Sequence, residues 1–242
     1  LDAATDLPLL RDAADRPILP GSSWKGVLRS GAERVLRGLA LADGMSTTHL
    51  RRIACDVLDH RAVCLGNAPR DEDDLPGPER VARRLKRLER ACLVCATFGG
   101  PDLASHVRVH DTKVPEASTR VRDGVAIDRD LGRVSGARKY DFEVIDAGAH
   151  VKLLLVVDNA RDWQLGLVRA ALDELAEGGR IGGFGSRGLG AVRLPDLSAV
   201  AIRRRTARAL VLHQEATAGP PWDACLSALL DEVAHVGKRE VA

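Results

Sequence analysis

The segment 182–190, Gly-Gly-Phe-Gly-Ser-Arg-Gly-Leu-Gly, combines closely spaced glycines with a single arginine. Glycine has no Cβ, so a loop rich in glycine can bring backbone N–H groups close to a ligand. Arg187 adds a planar, permanently charged guanidinium that suits a phosphate group. These residue types predict a loop that binds an anion, with Arg187 as its charged contact.

The same segment satisfies G-x-G-x-x-G at Gly183, Gly185 and Gly188. In dinucleotide-binding proteins this pattern follows a strand and precedes a helix. Here the apolar periodicity of residues 161–177 predicts a helix before the loop, and residues 191–195 resemble a short strand after it. This order argues against a nicotinamide or nucleotide enzyme. A hairpin that needs its glycines only for the turn is the other interpretation of the segment.

A second candidate anion site lies at the predicted start of a helix, in the stretch Pro-Gly-Ser-Ser-Trp-Lys-Gly of residues 20–26. Free backbone N–H groups and the helix dipole favour an anion at such an end. Ser22 and Ser23 offer hydroxyls, and Lys25 and Arg29 share one helix face because they are four residues apart. The alternative is an ordinary capped helix with solvated basic side chains.

The cysteines suggest a metal centre. Cys92 and Cys95 form a C-x-x-C pair, and Cys55 and Cys64 lie upstream of it. Four thiolates make a closed, tetrahedral zinc site that is structural and not catalytic. His60 is a possible substitute for one of the cysteines, and buried free cysteines or a redox pair are the alternatives. Cys225 is predicted to be a buried residue of the last helix.

A third cationic stretch extends over residues 120–143. Arg120, Arg122, Arg129 and Arg133 lie on either side of Gly132, which predicts a turn between two strands. A protruding hairpin with a basic surface fits this pattern. A hairpin whose arginines are simply solvated fits it equally well.

The surrounding elements predict an α+β fold, because helices and strands do not alternate regularly. The periodicity predicts helices over residues 22–41, 79–90, 161–177 and 222–236, and strands over residues 107–114, 142–145 and 150–157. Residues 43–79 are predicted to be largely irregular. We expect the helices to present the glycine-rich loop and the cysteines.

Composition narrows the functional classes. The net charge of +2 argues against a protein that coats nucleic acid with its whole surface, although a local basic groove stays possible. Aromatic residues make up 3% of the chain, so base stacking on exposed rings cannot dominate recognition. No apolar run approaches the roughly 20 residues of a membrane span, so we expect no association with a membrane.

Four motifs in this order resemble the RAMP superfamily, and within it the backbone subunits of type III CRISPR effector complexes. They are the stretch at residues 20–30, Cys92-x-x-Cys95-x-x-Phe98-Gly99, the stretch from Ile127 to Glu143, and the glycine-rich loop. The resemblance implies a ferredoxin-like, RNA-recognition-type palm formed by residues 1–42 and 99–242. It further implies a cysteine-rich, mostly helical, zinc-containing insertion at 43–98 and a thumb β-hairpin at about 115–142.

The resemblance also assigns partners. Subunits of this kind are cytoplasmic and stack along a CRISPR guide RNA, beside other effector subunits that include a large polymerase-like one, and they engage complementary target RNA. Guide-contacting roles then fall on residues of the helix start and the loop: Ser22, Ser23, Lys25, Arg29, Gly183, Ser186 and Arg187. The thumb would be inserted between nucleotides and splay the guide–target duplex at regular intervals, with Arg120, Arg122, Arg129 and Arg133 as its RNA-binding residues. The family's first strand and its glycine-rich turn would precede Leu1.

Cleavage of target RNA is assigned by the same resemblance to Asp6, in the context Asp-Leu-Pro-Leu-Leu-Arg-Asp, and not to Asp12. A magnesium or similar divalent ion would assist it. The alternatives are a scaffold that holds guide RNA without cutting and, less favoured, a CRISPR RNA-processing endonuclease. The latter usually needs a histidine base, and no histidine precedes Ser22.

Overall fold

A computed structural model describes residues 5–59, 63–66, 74–114, 119–195, 197–198, 202–203 and 217–238. The chain divides into two compact units. The first consists of residues Leu1–Trp24 and Val109–Leu155, and the second of Lys25–Arg108 and Val156–Ala242. The mixture of helices and strands confirms the α+β class.

The helices carry most of the buried surface. They are α1 (Gly21–Ala42), α2 (Thr47–Ile53), α3 (Gly77–Leu88), α4 (Leu93–Phe98), α5 (Asp162–Gly178) and α6 (Trp222–Lys238). The four helices expected from periodicity are present with ends shifted by about two residues or fewer, within the usual uncertainty of helix ends. The irregular structure expected at 43–79 is wrong for α2, whose sequence Thr-Thr-His-Leu-Arg-Arg-Ile is too polar to show a strong period.

The strand predicted at 142–145 is longer in the structure, whereas the other predicted strands are shorter and more broken. They are β1 (Ile18–Leu19), β2 (Val107–Val109), β3 (Thr112–Lys113), β4 (Thr119–Ile127), β5 (Val134–Ile145), β6 (Leu155–Val157), β7 (Ile202–Arg203) and β8 (Thr217–Ala218). Among the described residues they form four pairs: β1–β3, β2–β6, β4–β5 and β7–β8.

Three strand predictions need correction. The alternating stretch 107–114 is two strands, because the chain turns at His110 and Asp111. The stretch 150–157 is a strand only over Leu155–Val157. The residues before it are mostly exposed and are not part of a strand. The expected strand at 191–195 is reduced to a single bridge between Arg180 and Ala191.

In the first unit, β4 and β5 form a long antiparallel hairpin. Thr119 pairs with Ile145 at its open end and Ile127 with Val134 near its turn. The turn contains Gly132, whose N–H donates to the carbonyl oxygen of Asp128 at 2.9 Å. The hairpin expected around Gly132 is therefore present.

The second unit is built around α1, α5 and α6. Leu28 and Leu36 of α1 and Leu167 and Leu175 of α5 are fully buried, as the helical spacing of apolar residues requires. Arg34 of α1 donates two hydrogen bonds to Glu174 of α5, each 2.8 Å long. These contacts fix α1 against α5.

The segment predicted as an insertion, 43–98, lies wholly within the second unit. Hydrogen bonds from α1 and α5 attach it to the helices of that unit. Arg37 of α1 donates to the carbonyl oxygen of Cys55 at 2.8 Å, and Gln164 of α5 donates to that of Ala96 at 2.8 Å. None of the described helices has both the length and the apolar character that crossing a membrane requires.

The close packing of α5 against α6 depends on Gly166. A Cβ at this position would overlap the carbonyl oxygen of Cys225 and lie 3.1 Å from the Cβ of Leu229. We expect Gly166→Ala to lower the free energy of unfolding by about 1–3 kcal/mol, since the helices must separate. Urea unfolding followed by circular dichroism measures the change.

The matched control is Gly38→Ala on α1, where a Cβ would meet no atom within 4 Å. This substitution should raise the free energy of unfolding by up to about 1 kcal/mol, because alanine is the better helix former. Equal effects of the two substitutions would contradict the packing described here.

Candidate metal centre and nucleic-acid interface

Four cysteine sulfurs converge in the second unit. Cys55 follows α2, Cys64 lies in the short segment 63–66, and Cys92 and Cys95 lie at the start of α4. The Sγ atoms all lie within 4.8 Å of one another, and those of Cys55 and Cys95 are 3.7 Å apart. Zinc bound at about 2.3 Å to four sulfurs would set them about 3.8 Å apart. The cluster therefore has the donor set and the size for a tetrahedral zinc ion.

Donors surround three of the four sulfurs. The N–H of Cys92 donates to Cys64 Sγ at 3.3 Å, and the N–H of Cys95 donates to Cys92 Sγ at 3.4 Å. Arg29 donates to Cys95 Sγ at 3.1 Å. Such donors orient thiolate ligands and stabilise their charge. The C-x-x-C turn thus supplies two candidate ligands and also backbone N–H groups that donate to the sulfurs.

The thiols shift one another's pKa values strongly. Hydrogen bonds from Cys64, Cys92 and Cys95 lower the pKa of Cys55. The same bonds to Cys55 are the main reason that the pKa values of the other three thiols are raised. Four thiolates can coexist here only beside a cation, because like charges this close otherwise repel.

The alternative ligand His60 lies outside the described residues. Cys225 is buried on α6, as expected, and is not a member of the cluster. Zinc binding by Cys55, Cys64, Cys92 and Cys95 stays a prediction, which the spacing of their sulfurs favours.

Purified protein should contain about one zinc ion per chain, since four thiolates complete its coordination. Cys92→Ser should lose most of this zinc, because serine does not supply a thiolate. Cys225→Ser, which leaves all four ligands in place, should retain it. Elemental analysis of the folded proteins measures the content, and equal zinc in the two variants would contradict the assignment.

Asp6 lies in a loop that runs along β5 in the first unit. Its N–H donates to Asp141 Oδ1 at 2.6 Å, and the N–H of Asp141 donates to Asp6 Oδ2 at 3.0 Å. Leu7 forms a parallel bridge with Phe142, with an N–H···O bond of 3.0 Å from Glu143 to the carbonyl of Leu7. The exposed Asp6 carboxylate is thereby held beside the hairpin.

Charged contacts hold the rest of this loop. Glu143 accepts from the N–H of Leu9 at 2.9 Å and from Arg11 at 2.8 Å, and these bonds, the first above all, lower the pKa of Glu143. Arg16 similarly lowers the pKa of Asp12 to about 2 by donating to its carboxylate. Asp12 is thus part of a local turn, which separates its role from that of Asp6.

The first turn of α1 is anchored by a side chain that the sequence did not single out. Asp111 accepts a hydrogen bond of 2.8 Å from the N–H of Gly21. Ser22 and Ser23 on the same turn are exposed, and Lys25 is partly buried. Burial, and then the charge of Arg29, lower the pKa of Lys25. The two serines and Lys25 stay candidates for phosphate contact.

Arg29 has a different environment from Lys25. Besides its bond to Cys95, it donates to the carbonyl oxygen of Gly99 at 2.9 Å and to Glu33 at 3.2 Å. Burial lowers the pKa of Arg29, but its interactions with Cys95 and Glu33 raise it overall. These contacts use three of the five N–H donors of the guanidinium, and RNA contact by Arg29 stays a prediction.

The glycine-rich loop of the second unit is closed at its base. The N–H of Ile181 donates to the carbonyl oxygen of Gly190 at 2.9 Å, and a Cβ on Gly190 would overlap the carbonyl of Ile181. Residues Gly185–Arg187 form one 3-10 turn that follows Phe184, itself in the left-handed region at φ 59°. Gly183, Ser186 and Arg187 are exposed on this turn or beside it. The guanidinium of Arg187 lies over the ring of Phe184, 4.9 Å from its centroid.

The hairpin arginines are exposed, but they are not equivalent. Arg120 pairs with Asp146, and the hydrogen bond that it donates to that carboxylate raises the pKa of Arg120. Arg122 lies on β4, opposite Phe142, while Arg129 and Arg133 lie at the turn. The turn therefore presents two of the four predicted RNA contacts.

Two functional contacts escaped the sequence analysis. Asp141 belongs to a noted motif, yet nothing in its spacing indicated that it would face Asp6. Arg29 was assigned to phosphate because it shares a helix face with Lys25, and its link to Cys95 spans 66 residues. In the sequence, only the joint occurrence of the motifs could have indicated these two contacts.

Comparison with known proteins gives two findings. The RAMP superfamily profile matches residues 1–193, which include the cysteine cluster, Asp6 and the glycine-rich loop. A curated relative named CRISPR system Cms endoribonuclease Csm3, from Methanocaldococcus jannaschii, is 26% identical over 202 residues. The alignment covers 81% of this chain and 70% of that relative.

Proposed function

The chain belongs to the RAMP superfamily, and we propose that it binds a CRISPR guide RNA as a backbone subunit of a type III effector complex and cleaves the paired target RNA. The observation that carries the proposal is the exposed Asp6 carboxylate, held by Asp141 beside a long hairpin. The name of the relative agrees with an endoribonuclease.

The proposed guide contacts lie in two segments, the start of α1 and the glycine-rich loop. Ser22 and Ser23 expose hydroxyls, Lys25 adds charge, and Gly183, Ser186 and Arg187 line a closed, exposed turn. Such groups contact phosphates and sugars and do not read bases. We therefore expect guide binding with little sequence preference.

The order of elements supports a ferredoxin-like palm. Without the elements between them, α1, β2, β6, α5 and the bridge at Ala191 occur in the order helix, strand, strand, helix and bridge, with the bridge in the place of a last strand. A ferredoxin-like fold has this order after its first strand. We assign the β4–β5 hairpin, including Arg120, Arg122, Arg129 and Arg133, as the thumb that separates nucleotides of the guide–target duplex.

Displacing a nucleotide from the stack would give Asp6 its chemistry. An unstacked nucleotide can align its 2′-hydroxyl with the adjacent phosphate, as other enzymes extrude a base to reach it. The 2′-oxygen then attacks phosphorus, and the 5′-oxygen of the next nucleotide leaves. Asp6 would orient the hydroxyl or accept its proton, a role worth about 10²–10⁴-fold in rate.

A divalent ion such as magnesium suits the same position, because hard cations prefer carboxylate oxygens. Asp6 is the residue that would hold it, and when bound it would neutralise charge developing on the phosphate. Asp141 supports this arrangement by fixing Asp6 through its N–H.

The partners follow from this role. The proposed complex contains guide RNA, target RNA, neighbouring copies of the chain and other type III subunits, including a large polymerase-like one, and it acts in the cytoplasm. A scaffold that only holds guide RNA is the alternative, and the exposed Asp6 favours the cleaving subunit over it.

Asp6→Asn tests the cleavage assignment. The amide keeps an oxygen that can accept the N–H of Asp141, but it loses the charge. We expect target cleavage by the assembled complex to fall by about 10²–10⁴-fold while guide binding is unchanged. Cleavage of labelled target RNA, resolved on gels, measures the rate.

Asp12→Asn is the matched control, because Asp12 is a nearby carboxylate that is committed to Arg16. It should leave the cleavage rate close to that of the natural protein. If Asp6→Asn also leaves cleavage intact, the scaffold function replaces the proposed one.

Guide affinity should decrease with salt, because each neutralised phosphate releases a counterion. Arg187→Gln should weaken binding of guide RNA and reduce the slope of log affinity against log salt by about one. Arg34→Gln should leave the slope unchanged, since Arg34 is paired with Glu174. Fluorescence anisotropy over a salt series measures both, and an unchanged slope in the Arg187 variant would remove the loop from the interface.

A further inference from the structure

The guanidinium of Arg29 uses three different nitrogens on three different groups. Nη2 donates to Cys95 Sγ at 3.1 Å, Nη1 to the carbonyl oxygen of Gly99 at 2.9 Å, and Nε to Glu33 at 3.2 Å. The side chain is 24% exposed. The planar guanidinium donates to all three acceptors at once, which a lysine ammonium could not do.

The cysteine cluster creates a need for such a cation. Four thiolates around one Zn²⁺ carry a net charge of −2, in a site where Cys55, Cys92 and Cys95 are buried. Buried charge is costly unless it is paired and hydrogen-bonded. The sulfurs of Cys64 and Cys92 accept from neutral backbone amides, whereas that of Cys95 accepts from a charged donor.

We propose that Arg29 is a positioning residue of the metal centre, which orients the Cys95 sulfur and offsets the negative charge of the four-thiolate site. Its bond to Gly99 fixes the end of α4, and its bond to Cys95 fixes a ligand within that helix. The cluster and α1 are thereby joined through one side chain. The predicted phosphate contact of Arg29 is untested and is separate from this role.

The proposal has a consequence for Lys25, which rests on the proposed function. Lys25 lies one turn before Arg29 on the same face of α1. Metal binding therefore holds the turn that would present Lys25 to the guide RNA. Loss of the metal should weaken guide binding indirectly.

The test measures zinc affinity directly. Folded Arg29→Gln and Arg34→Gln proteins compete with a chromophoric chelator for zinc. Arg34 is on the same helix but is paired with Glu174. Losing a residue that supports a ligand typically weakens metal binding by about 10–100-fold, and we expect this for Arg29→Gln alone.

A spectroscopic measurement separates this role from general stability. With Co²⁺ in place of zinc, the sulfur-to-cobalt charge-transfer band should shift to lower energy in Arg29→Gln, because the sulfur loses a stabilising donor. Arg29→Lys should restore part of the shift, since it keeps the charge. Glu33→Gln, which removes the charge of another partner of Arg29, should leave the band in place.

The proposal is overturned if Arg29→Gln binds zinc as tightly as Arg34→Gln and its cobalt charge-transfer band does not shift. If that variant does not fold, Arg29→Lys must still weaken zinc binding relative to Arg34→Gln, and equal affinities of these two overturn it. Natural protein that binds no zinc also overturns it, yet guide RNA binding and cleavage can then still be observed. If zinc binding depends on Arg29 but the protein binds no guide RNA, only the proposed function is rejected.

Discussion

Convergence of the cysteine sulfurs is the constraint on which the middle of the chain depends. Apolar burial in residues 43–98 is uneven: α3 has no buried residue and Leu58 is 92% exposed, whereas Ile53, Leu65 and most of α4 are buried. Where burial cannot offset the entropy of ordering a chain, metal binding can supply the missing free energy. Arg29, Arg37 and Gln164 then connect the cluster to α1 and α5.

Apolar packing and polar contacts have different tasks in this protein. The helices of the second unit are fixed by buried leucines and by close approach at Gly166. The residues proposed to contact RNA are placed instead by carboxylates and amides, as at Asp111 and Asp141. Such bonds individually contribute little net stability, but they specify geometry.

The sequence predicted the elements with a strong period and the groups with distinctive chemistry. Four helices were found because their apolar residues recur over several turns. The four cysteines were grouped correctly because thiolates at such spacing have few other uses. The break in the strand at 107–114 was missed because Asp111 bonds to Gly21, 90 residues away, and no local pattern reports that bond. The environment of Arg29 was missed for the same reason, since helix periodicity shows a face but not what covers it.

The hydrogen bonds between Asp6 and Asp141 can form only late in the synthesis of the chain. The two residues are 135 positions apart, so Asp6 is synthesised long before its partner exists. Chains grow at about 5–20 residues per second, which separates the two by several seconds or more. During that time the carboxylate belongs to an unanchored N-terminal segment. A nascent chain, or a fragment that ends before β5, therefore carries the acidic residue without the geometry that would make it an active one.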